Sequence, residues 1–172
     1  MTSTRSGAET HGYLGEEFLT WLWFRWETDG GEFTLPGGRV VGLALDDFLC
    51  FAAPSDDETE QTLRRGLPTR SPEARTALHH GRRLKKARLL LGEGSRQWSA
   101  TLDAATLTVT GVRLPEDAEE CESDADRTAD RAANWFALHE ILQALYARYL
   151  TERVRPDYLA TAGEQQARWM AS

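Results

Sequence analysis

Apolar and polar positions change period several times along this chain, and each change marks an element. Between Tyr13 and Glu27, Leu14, Phe18, Leu19, Trp21, Leu22 and Trp26 fill one wide arc of a helical wheel. Glu16, Glu17, Thr20 and Glu27 share the other side, Arg25 projects into the apolar arc, and Phe24 into the polar one. Asp29-Gly30-Gly31 stops the helix. Glu32 to Leu35 and Arg39 to Leu45 then flank Pro36-Gly37-Gly38, a hairpin signal. Asp46-Asp47 reads as a turn into a buried strand from Phe48 to Ala53, and Thr59 to Gly66 as a charged edge strand.

A second helix is announced by Ser71-Pro72-Glu73: a capping hydroxyl, a proline at the first helical position and an acid facing the dipole. Gly81 should end it. Three short strands follow, Leu84 to Leu91, Gln97 to Leu102 and Leu107 to Leu114, with Trp98, Ala100 and Leu102 alternating against polar neighbours. The last strong pattern, from about Asp126 to Arg153, places Trp135, Leu138, His139, Leu142, Leu145, Tyr146 and Tyr149 at helical spacing. The order predicts an α+β fold: an antiparallel sheet of five to seven strands packed by the first and last helices on one face. Residues 1–11 are expected to be a disordered lead and 12–155 a single domain. Within it, an acidic linker near 116–126 is expected to be mobile, and 156–172 is read as a tail.

Composition narrows the function. The 172 residues carry a net charge of -7, which argues against a general polyanion binder but leaves local patches open. Two cysteines, Cys50 and Cys121, make no disulfide framework, and reduced cytoplasmic thiols are the simple reading. No apolar run approaches the ~20 residues of a membrane span, so no membrane partner is expected.

Catalytic chemistry has little to stand on. His11, His79, His80 and His139 are the only histidines, and His139 lies on an apolar helical stripe where a core or interface role is the simpler one. Neither cysteine sits beside an evident base, and no Gly-x-Ser-x-Gly turn occurs. Adjacent His79 and His80 point ~100° apart on a helix and make no i, i+4 metal pair. No catalytic residue, metal or cofactor is therefore expected. The one cationic concentration is Arg82, Arg83, Lys85, Lys86 and Arg88, a stripe that can track a phosphate backbone or, alternatively, serve as a solvated edge. Phe18, Trp21, Trp23, Arg25, Trp26 and Trp135 are candidates for either core or partner surface. Arg25 needs an acceptor or an aromatic face there, with Glu27, Asp46 and Asp47 as candidate partners.

The run from Leu14 to Arg25, followed by Ala77 to Ala87 and Trp98 to Asp103, resembles the C-terminal part of long bacterial proteins similar to the recombination-associated protein RdgC. The resemblance spans roughly residues 13–150. It implies a non-enzymatic DNA-binding protein that forms rings and restrains recombinase filaments. It assigns no individual functional residue. The expectation is a non-catalytic DNA-maintenance or recombination module with sequence-independent nucleic-acid contact. The alternative is a protein-interaction or oligomerisation subunit of a phage-related or defence system, with a possible homo-oligomer.

Overall fold

A computed structural model describes residues 7–52, 60–64, 66–115 and 123–172. The chain runs α1 (Gly7–Asp29), β1 (Glu32–Thr34), β2 (Val40–Phe51), β3 (Gln61–Arg64), α2 (Pro72–His79), β4 (Leu84–Glu93), β5 (Arg96–Asp103), β6 (Thr108–Arg113), α3 (Asp124–Arg153) and α4 (Ala162–Met170). The six strands form one antiparallel sheet in the order β1-β2-β4-β5-β6, with β3 on the far end of β2. The long β2 thus carries β4 along one edge and divides the other between β1 and β3.

Strand alternation turns one row of each central strand inward. Leu43, Leu91 and Trp98 lie abreast across three strands, as do Leu45, Leu89 and Ala100, and Leu49, Ala87 and Leu102. All nine are buried. α1 and α3 cover this face together, as the apolar arcs predict. Phe18 of α1 meets Tyr146 and Tyr149 of α3 at ring distances of 5.0 and 5.6 Å. Trp98 of β5 donates from Nε1 to the Asn134 carbonyl of α3 at 2.9 Å, a buried bond that fixes the helix against the strand. Among the described residues, no helix packs on the opposite face of the sheet.

Local chemistry sets the boundaries. Gly31 ends α1 at φ +73, and a Cβ there would meet the Leu43 carbonyl oxygen at 2.3 Å, so only glycine lets the chain cross so close to β2. Ser71 caps α2 through the Ala74 amide at 3.1 Å. Ser123 caps α3 through the Asp126 amide at 3.1 Å, three residues before the start expected from periodicity.

Several expectations are corrected. The segment read as a lead already enters α1 at Gly7. Asp46-Asp47 is no turn: β2 runs through it, with an irregularity in its pairing to β4 between Leu45 and Leu49. Asp46 and Asp47 are tolerated because both keep access to solvent. The tail is part of the domain. After the turn at Tyr158–Ala160, α4 folds back so that the Trp169 ring lies 5.4 Å from Trp23 and 5.6 Å from Phe24. That contact buries Phe24, which the helical wheel had assigned to the polar side. Most of the acidic linker, residues 116–122, lies outside the described residues. Among the described residues no helix is long and apolar enough to cross a membrane.

Candidate nucleic-acid interface

The five cations of the basic stripe do not form one row. Arg82 and Arg83 precede β4, and Arg82 donates its amide to the Ala77 carbonyl at the end of α2. Within the strand, Cys50 pairs with Lys86 but Phe51 pairs with Leu84, which leaves Lys85 as an extra residue in the ladder. The irregularity puts two lysines between the buried Leu84 and Ala87. Lys86 and Arg88 then stand on the bare face of the sheet, while Lys85 is turned toward the β3 side. A strand running regularly through 82–88 puts Arg82, Lys86 and Arg88 on one face and Arg83 and Lys85 on the other; the bulge breaks that alternation.

Carboxylates surround these cations. Arg83 Nη1 lies 3.5 Å from Glu16 of α1, and Lys86 Nζ 2.9 Å from Asp103 on the adjacent β5. Lys85 pairs with Glu60 just before β3. Arg88 reaches Asp46 across β2 at 3.5 Å and donates to the Ser99 hydroxyl on β5 at 3.1 Å. Near them on the same face, Arg64 lies over the Phe48 ring at 5.1 Å.

The electrostatics follow the pairing. Hydrogen bonding to Glu60 raises Lys85 above the ordinary lysine range, and Asp103 does the same for Lys86. Burial pushes Asp103 up, but hydrogen bonds from Lys86 and the Ala105 amide outweigh it and leave the carboxyl below its usual value. Glu16 shifts the other way: burial raises it against the pull of Arg83. A depressed carboxyl contributes stability that is present above its unfolded value, about 3.9 for an aspartate, and lost as pH falls through the folded value. Melting followed from about pH 5 to about pH 3 is expected to show a decline that flattens in Asp103→Asn. An unchanged slope in that variant would remove the Lys86–Asp103 pair as a contributor.

The aromatic candidates divide by position. Phe18, Trp21 and Trp23 are buried, and Trp26 is partly buried against them. Arg25 finds neither Glu27, Asp46 nor Asp47. It donates to Asp29 at 2.8 Å and to Glu152 of α3 at 2.7 Å, with its guanidinium 5.8 Å from the Trp21 ring centre. Glu27 is taken by Trp23, Trp169 and Arg75, all three donating to its carboxylate. Trp135 differs from the rest: it is 40% exposed and helps line a groove of about 480 Å³ between α3 and the start of β6, with Leu107, Leu142 and Tyr146. The neighbouring Phe136 is 67% exposed, which the sequence pattern did not single out. His139 Nδ1 donates to the Trp135 carbonyl at 2.9 Å, and its ring lies 4.9 Å from the Trp135 ring.

Among the described residues no three His, Cys, Asp or Glu side chains are grouped to hold a metal ion. No protein-family model, curated protein or solved structure matches the chain.

Proposed function

We propose that this domain is a non-catalytic module of DNA maintenance or recombination that contacts nucleic acid through phosphates without reading sequence. The observation that carries this reading is the placement of Lys86, Arg88 and Arg64 on the uncovered face of the sheet. Lys86 and Arg88 are ion-paired, but Lys86 remains 38% exposed, and ion pairs open to solvent contribute little. A phosphate can take the place of such a carboxylate. The carboxylates still repel the backbone, so affinity should be weak, with Kd about 10⁻⁴ to 10⁻⁶ M at physiological salt. The resemblance to the C-terminal region of RdgC-like proteins supports the setting in recombination.

Fluorescence anisotropy with labelled duplexes of unrelated sequence tests this reading. Lys86→Gln should weaken every duplex alike and lower the log–log salt slope by about 0.9. Asp46→Asn and Asp103→Asn should tighten binding by removing repulsion. If the wild type and both Asn variants retain no DNA at low salt, the reading fails.

A second reading has its own observation. Trp135 and Leu107 are exposed beside the α3–β6 groove, and Phe136 is exposed next to Trp135 on α3, as a protein-contact surface requires. Loss of a partner in Phe136→Ser, at unchanged melting temperature and unchanged DNA retention, would favour it.

A further inference from the structure

One cleft lies away from the basic stripe. It measures about 830 Å³ and is bounded by the C-terminal halves of α1 and α3, the Pro36–Gly38 turn and the chain leading into α4. The return of α4 toward α1 closes one side of it. Its volume falls in the range of small-molecule sites, roughly 300–1,000 Å³. Three guanidinium groups line it, Arg25, Arg148 and Arg155, against two carboxylates, Glu152 and Asp157. The balance is locally positive in a chain whose net charge is -7.

The three arginines are not equivalent. Arg25 is committed to Asp29 and Glu152, and Arg155 to Asp157 through Nε and Nη2, both at 3.2 Å. Arg148 has no carboxylate partner among the described residues. Its guanidinium lies over the Phe33 ring at 5.3 Å, and its one hydrogen bond, to the Thr34 carbonyl, is long at 3.5 Å. An arginine presents five N–H donors in a planar fork. Phe33 therefore holds this fork in place while most of its donors remain unused at the wall of the cleft. Bidentate recognition of a carboxylate or phosphate requires that arrangement. Leu35 and Pro36 add apolar surface for the body of a ligand.

We propose that this cleft binds a small anionic molecule, with the carboxylate or phosphate group on Arg148 and further attraction from Arg155. The proposal is independent of the nucleic-acid reading, which rests on the other face of the sheet. Calorimetric titration of the full chain with pyrophosphate and, separately, with citrate distinguishes the two kinds of anion. Saturable one-site binding of at least one probe is expected. Arg148→Gln should weaken it about tenfold or more, Arg148→Lys should restore part of it, and Lys86→Gln should leave it unchanged. Ala147→Glu places a carboxylate on the exposed wall of the cleft and should abolish binding even if Arg148→Gln does not fold. Absence of saturable binding of either probe at low salt overturns the proposal. So does binding that survives Ala147→Glu, or that falls with Lys86→Gln as much as with Arg148→Gln.

Discussion

Trp21→Ala is expected to destabilise the domain by about 3–5 kcal/mol, read as a lower urea midpoint at unchanged slope. Trp21 has no exposed surface, and its ring sits between three elements. Phe33 of β1 is 5.8 Å from it, Tyr149 of α3 is 5.7 Å, and Phe18 stacks at 6.2 Å on its own helix. Removing the indole takes packing away from the strand and the long helix at once, and it strips the ring beneath Arg25. The neighbours are large aromatics tied to separate backbones, so the cavity cannot close cheaply. One feature works against the indole: its Nε1 is buried with no hydrogen-bond partner. Trp21→Phe removes that unpaired donor and should cost clearly less than Trp21→Ala. Equal stability of wild type and Trp21→Ala, with loss of a binding partner instead, would show that this side of α1 is an interface.

The position of Trp21 in the core was legible because helical periodicity is a local signal. The hairpin at Pro36–Gly38 and the Ser71-Pro72 helix start were legible for the same reason: a few adjacent residues fix the backbone there. Burial by distant segments was harder to read. Phe24 falls on the polar side of its own helix, and only the return of Trp169 covers it. Asp46-Asp47 carries the composition of a turn, yet Asp46 is held in a strand by Arg88 across the ladder, 42 positions away in sequence by subtraction of residue numbers.

The candidate site shows the same division. A run of five cations within seven positions is evident in the sequence, but its meaning depends on what faces it. Glu16, Asp46, Glu60 and Asp103 come from four other segments to face Arg83, Arg88, Lys85 and Lys86. The bulge at Lys85 arises from pairing with β2 and leaves no mark in β4 itself. Arg148 was invisible as a candidate because one arginine in a long helix is ordinary. The aromatic surface beneath it comes from β1, more than a hundred residues earlier by the same subtraction.

Gly15→Ala is expected to destabilise the domain by about 1–3 kcal/mol, against the sign that helix propensity alone would give. In an unobstructed helix, replacing glycine by alanine gains up to about 1 kcal/mol. Here a Cβ on Gly15 would stand 1.8 Å from the Ala104 carbonyl oxygen and 2.8 Å from its carbon. The obstacle is backbone and cannot rotate away. Ala104 is itself fully buried and tied to β4 by its amide, which donates to the Lys85 carbonyl at 2.8 Å. Either α1 lifts off the turn after β5, or that turn pulls away from β4. Lifting α1 also pulls Glu16 away from Arg83. Chemical denaturation of wild type and variant measures the loss. A variant more stable than wild type would show that α1 does not approach this turn so closely.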